Sequence, residues 1–219
     1  MKRGHLITLE GQDGTGKTTL VPELQNRLRA SGYKVCIVEE FSDSSLGDYL
    51  KDLLRKDKFL RTSGEKPTAL SDTLAVVADL YHKDEIRIKP SIEEGKIIIK
   101  DRHIDTIFAY QIPIITDVYP KMDRDNLYKW LEIITNKLHK PDLTFLLKIP
   151  TDVQIERLIR RGENVSEKDL GLFDKIGATY DERVRDDPSR FIVVNSNTPV
   201  QTLAEDMVHF IKVMVSKCT

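Results

Sequence analysis

The chain has 219 residues, 40% of them apolar, which is enough to enclose one α/β domain with a small insertion. Its 34 Lys and Arg nearly cancel its 35 Asp and Glu, so no overall field would hold a nucleic acid polymer or an anionic membrane. Two cysteines, Cys36 and Cys218, exclude a disulfide framework or a four-ligand zinc site within one chain, and no run approaches the ~20 apolar residues of a membrane span, so a cytoplasmic protein is expected.

In chain order, residues 5–9 form a short apolar run that leads straight into glycines, so MKRGHLITLEG reads as a first strand and not as a signal peptide. The loop Gly11, Gln12, Asp13, Gly14, Thr15, Gly16, Lys17, Thr18 and Thr19 fits G-x-x-x-x-G-K-[ST] between that strand and a helix with Leu20, Leu24 and Leu28 on one face. Glycines let backbone N–H groups curl around phosphates, Lys17 suits the β- and γ-phosphates of ATP, and the Thr18 hydroxyl suits Mg²⁺. Further strands are expected at residues 34–38, 96–99, 143–149 and 191–194, with helices between them, which implies a parallel sheet covered on both faces.

A polar loop is expected at residues 56–67. KIIIKDRH ends the third strand in Asp101, an acid placed to hold magnesium, and Arg102, a planar fork suited to phosphate. Arg157, Arg160 and Arg161 are expected on one helix face, leading into a mobile stretch at residues 161–171, and one or more of them would stabilise a transferring phosphoryl group. Leu203, Met207, Phe210, Ile211 and Met214 form the apolar face of a last helix.

Together LEGQDGTGKTT, GKIIIKDRHIDTIFAYQ, KPDLTFLLKIP and ERLIRRGE resemble, in order and spacing, the thymidylate kinase family, over most of the chain. The resemblance implies a P-loop NTPase three-layer sandwich: a five-stranded parallel sheet wrapped by helices, in a single domain carrying a lid and an acceptor pocket. It implies transfer of the γ-phosphoryl group of ATP to dTMP, with Mg²⁺, and a tendency to form homodimers. It further implies that Asp13 contacts the acceptor sugar, that Arg102 holds the acceptor phosphate, that Tyr110 packs where a ribose 2′-hydroxyl would be, and that Gln111 lies near the acceptor. Gly14 stands where another branch has arginine, so a lid arginine is expected to be catalytic.

The chain departs from the family at the base-reading helix, where Val76 and Leu80 replace a stacking Phe and a hydrogen-bonding Arg. After the second strand Phe41 survives, but no arginine follows before Arg55, and ENVSEKDLG offers only Lys168. Two alternatives therefore stand beside a dTMP kinase: a kinase of the same build for another nucleotide or small phosphomonoester, and a non-catalytic nucleotide-binding protein.

Overall fold

A computed structural model describes residues 3–59 and 68–217. Residues 60–67, most of the expected polar loop, and Cys218 lie outside the described residues.

The five strands are β1 (His5–Glu10), β2 (Val35–Val38), β3 (Ile97–Asp101), β4 (Leu143–Lys148) and β5 (Phe191–Asn195). They form one all-parallel sheet in the order β2-β3-β1-β4-β5. Each lies within a residue or two of its expected position. β1 is buried along its whole length because it is central and covered on both faces, so its polar residues His5, Thr8 and Glu10 are enclosed along with Leu6, Ile7 and Leu9.

The helices are α1 (Lys17–Ala30), α2 (Ser45–Lys56), α3 (Ala69–Lys83), α4 (Lys89–Glu93), α5 (Ile104–Val118), α6 (Arg124–Thr135), α7 (Thr151–Arg160), α8 (Glu167–Asp186) and α9 (Val200–Lys217), with a π-helical turn at Asp84–Ile88 joining α3 to α4. Alternate strand residues point to opposite faces. Ile7, Leu9, Ile99, Phe145 and Leu147 pack with Leu20, Leu24 and Leu28 of α1 and with Leu203, Met207 and Ile211 of α9. On the opposite face Leu6, Ile98 and Val38 meet Ile88 and Ile92, and Leu146 joins the cluster built from α3, α5, α6 and α8. The result is the three-layer sandwich. Burying a leucine contributes about 2 kcal/mol, so the three on α1 together outweigh the roughly 3 kcal/mol cost of Pro22 inside that helix.

Two expectations need adjusting. Phe210 does not share the buried face of α9 and is 43% exposed. The stretch 161–171, expected to be mobile, holds regular structure in its second half, which is the start of α8, set by a capping box between Ser166 and Asp169. β3 ends in Asp101, as expected. Among the described residues no helix is long and apolar enough to cross a membrane.

Two lysines are buried beside the tip of β2. The ammonium groups of Lys83 and Lys100 both donate to the carbonyl of Glu39, the latter at 3.2 Å. Burial, and for Lys83 next the charge of Lys100, pushes them down to about 7 and about 8. An unfolded lysine titrates near 10.5, so between about pH 7 and that value the unfolded chain holds a proton that folded Lys83 has released, and stability rises with pH. Below this window both states are protonated and the contribution is constant. Urea melts at pH 7, 8 and 9 should show this rise, and Lys83→Met should make it shallower, with Lys100 still contributing; an unchanged slope would exclude a depressed Lys83.

Candidate active site

Parallel pairing sets the two halves of the site side by side. Leu9 of β1 is in register with Asp101 of β3, and the amide of Arg102 donates to the Leu9 carbonyl at 3.0 Å. The loop after β1 and the turn after β3 therefore leave the sheet together at its carboxyl edge, where open α/β sheets bind ligands.

The first loop depends on glycine. Gly11 has φ 134°, and a Cβ there would stand 2.5 Å from the Leu147 carbonyl oxygen; Gly16, at φ 92°, opens α1 without a side-chain cap. The Lys17 ammonium is buried and donates to the carbonyls of Gly11 at 2.9 Å and Gln12 at 3.1 Å. Burial, then the charge of Arg102, pulls its pKa down. Thr15 Oγ1 donates to the Gln12 carbonyl at 2.8 Å, while Thr18 and Thr19 are exposed on the first turn of α1.

Two other elements hold the loop from behind. Gln12 Nε2 donates to the Phe173 carbonyl of α8 at 2.9 Å, and Gln154 Nε2 of α7 donates to the Asp13 carbonyl at 3.0 Å. Arg157, one helical step beyond Gln154, donates from Nη1 to the Gly14 carbonyl at 3.1 Å and from Nη2 to the Ser196 carbonyl at 3.3 Å. The three arginines do not share a face toward the loop. Arg160 pairs with Glu156 at 2.6 Å in solvent, and Arg161, at the end of α7, is exposed. The 100° advance per residue explains the split, because Gln154, Arg157 and Leu158 take the inner side of the helix.

Arg102 has φ 54°, a left-handed conformation that costs a residue with a Cβ roughly 1–2 kcal/mol. Its side chain is buried and forked between two acids, with Nη2 2.5 Å from Asp13 Oδ1 and Nε 3.4 Å from Glu40 Oε1. It lies 4.9 Å from the Tyr110 ring centroid. Desolvation opposes the ionisation of Asp13, but the charges of Arg102, Lys17 and Lys58 outweigh it and hold the carboxyl below its usual range. Beneath the turn, Glu10 accepts from the His103 amide at 2.8 Å and from the hydroxyls of Thr106 and Tyr180, bracing the Arg102 turn against β1.

Next to this fork is a pocket of about 140 Å³, lined by Asp13, Glu40, Phe41, Val76, Arg102, Tyr110 and Gln111 together with Leu54, Lys58, Phe59, Thr106 and Ile107. Arg102 Nη1 and the Tyr110 hydroxyl are buried without a hydrogen-bond partner. Thr73 Oγ1 lies 2.7 Å from the side-chain amide of Gln111 and 2.6 Å from the Ala69 carbonyl, which anchors that amide at the pocket wall.

The family model described as thymidylate kinase matches residues 9–207. The chain belongs to the thymidylate kinase family. It is 30% identical to a probable thymidylate kinase of Methanosarcina barkeri, over 98% of this chain and 99% of the relative. It is 31% identical to a thymidylate kinase of Thermomicrobium roseum, over 91% and 90%, and 30% identical to a probable thymidylate kinase of Pyrococcus abyssi, over 96% and 97%.

Of the residues expected at the acceptor from this thymidylate kinase pattern, Asp13, Phe41, Val76, Arg102, Tyr110 and Gln111 line one pocket. Leu80 does not. It is 4% exposed and belongs to the apolar cluster of Val77, Phe108 and Ile112, since a four-residue step along α3 turns it 40° past Val76. Sequence reasoning missed Glu40, Lys58 and Gln154. Only Gln154 left a signal, as a polar residue three positions before Arg157.

Gly11→Ala should force the loop away from Leu147 and weaken ATP binding at least about tenfold, as a displaced phosphate cradle implies. Gly32→Ala is the control: its φ of 86° is also left-handed, but its Cβ meets nothing, so only about 1 kcal/mol of stability should be lost. Calorimetric titration and urea melts read the two effects, and equal ATP affinity in wild type and Gly11→Ala would refute the cradle.

Proposed function

We propose that the chain transfers the γ-phosphoryl group of ATP to dTMP, giving ADP and dTDP. The observation that carries this reading is the Arg102–Asp13 pair, because it makes the phosphate loop and the neighbouring pocket share one wall. A donor on the loop and an acceptor in the pocket would then meet at that wall. Family membership supplies the acceptor class.

An oxygen of the acceptor phosphate attacks the γ-phosphorus in line as the bond to the β,γ-bridging oxygen breaks. The acceptor phosphate, with a second pKa of about 6, is largely dianionic near neutrality, so no general base is needed. Lys17 exchanges its two loop carbonyls for β- and γ-oxygens, and Arg102 offers the unpartnered Nη1 to the acceptor phosphate. Asp13 faces the sugar, and Tyr110 limits space at the 2′ position. Among the three α7 arginines Arg157 is the best placed to stabilise the transferring group, since it already lies over Gly14. Residues 161–171 serve as a lid on a single domain.

Magnesium fits the residues at the tip of β3. Asp101 Oδ1 is buried without a hydrogen-bond partner, and the exposed Thr18 stands on the first turn of the neighbouring helix α1. Among the described residues no group of three or more His, Cys, Asp or Glu could hold a metal alone, which suits an ion that arrives with its nucleotide. Asp101 and Thr18 would hold it, and it would supply charge neutralisation on the phosphates.

One observation favours a second reading, a different nucleoside monophosphate as acceptor. Val76 lines the pocket without an aromatic face, and Leu80 is withdrawn into the core, so neither family base-reading group is present. ADP release from ATP and magnesium with a panel of nucleoside monophosphates decides the matter. The expected outcome is dTMP as the preferred acceptor; preference for another base would select the second reading. Lys17→Ala should lower kcat by about two orders of magnitude, as the loss of one preorganised charge contact implies, and normal turnover would remove its role.

A further inference from the structure

Lys58 follows α2 by two residues and is part of none of the motifs above. Its side chain lines the same pocket as Arg102 and Asp13. The ammonium nitrogen is buried and donates no hydrogen bond. It lies 3.5 Å from Asp169 Oδ2 and 5.1 and 5.3 Å from the ring centroids of Phe59 and Phe173. Two aromatic faces and one long ion pair stabilise a buried cation, yet they leave its three N–H donors without an acceptor at hydrogen-bond distance.

The surroundings indicate what those donors meet. Lys58 is one of three cations, with Arg102 and Lys17, whose charge is felt at the Asp13 carboxylate, so it lies toward the phosphate loop. Arg102, whose Nη1 is also without a partner, lines the same pocket. Among the described residues, the other basic side chains of the neighbouring elements are engaged or turned away. Lys51 is engaged by the Ser42 carbonyl at 3.2 Å and Asp48 at 3.3 Å, and Arg160 and Arg161 are out in solvent.

We infer that Lys58 is an acceptor-binding residue whose ammonium group donates to the phosphate of the incoming nucleoside monophosphate, alongside Arg102. This rests on the reading that the pocket takes such an acceptor. A dianionic phosphate supplies the oxygens that the ammonium lacks. Because Asp169 belongs to the capping box of α8, the same cation links an occupied pocket to the first turn of the helix that carries the lid.

The test compares wild type, Lys58→Met, which keeps the apolar stem, and Lys58→Arg, all checked for equal thermal unfolding. Calorimetry measures binding of dTMP and of thymidine, which lacks the phosphate; if the acceptor panel selects another base, that monophosphate and its nucleoside replace them. Lys58→Met should weaken the monophosphate about tenfold to a hundredfold, the range of a lost hydrogen bond to a charged group, with the nucleoside unchanged and Lys58→Arg partly restoring affinity. Equal weakening of both ligands would make Lys58 a packing residue, and no weakening of either would leave its ammonium to Asp169 alone; each overturns the inference. Binding is read separately from turnover. A chain that binds dTMP with this pattern but does not phosphorylate it fails the functional reading only, while one that binds no nucleoside monophosphate fails both.

Discussion

Everything at the site depends on β1 and β3 ending at the same level. The Leu9–Asp101 register, closed by the Arg102 amide on the Leu9 carbonyl, leaves the chain no freedom to separate the glycine loop from the acid and arginine that follow β3. A parallel ladder buried on both faces is stiff, because a shift of register would carry side chains of β1 to the wrong face. Glu10 adds a second constraint from below. Burial, then the charge of Asp105, raises its carboxyl, and three hydrogen bonds offset part of that cost while tying the β3–α5 turn and α8 to the central strand.

The charges at the site are arranged in competition with one another. Arg102 is divided between Asp13 and Glu40, Lys17 lies on the carbonyls of its own loop, and Lys58 faces Asp169. Glu40, raised by burial and by the charges of Asp101 and Asp13, is stabilised chiefly by Arg102. Each cation is held near its working position by an internal anion or carbonyl. A phosphate ligand would replace these partners one for one with little rearrangement of the backbone, and so meet a field already organised for it.

How much of this was legible in the sequence depended on the kind of signal each residue carried. The strands were visible because β-branched runs such as the isoleucines of β3 are interrupted by glycine and charge, and the phosphate loop because few other purposes require Gly11, Gly16 and Lys17 at that spacing. The pocket set from Asp13 to Gln111 came from a family resemblance, which encodes long-range proximity that periodicity cannot. What remained hidden was orientation and depth. Arg157, Arg160 and Arg161 look alike in a helix until the direction of its buried side is known, and Leu80 and Val76 look alike until α3 is packed on α5. Glu40, Lys58 and Asp169 gain meaning only from partners in distant parts of the chain.

The backbone at Arg102 carries a consequence of its own. At φ 54° it occupies a conformation in which glycine or asparagine would be the more comfortable occupant, and the guanidinium is present despite that preference. The sequence that folds most easily and the sequence that equips the pocket therefore differ at this position. A search for stabilising substitutions guided only by backbone comfort would select this residue early and remove the wall between the two halves of the site.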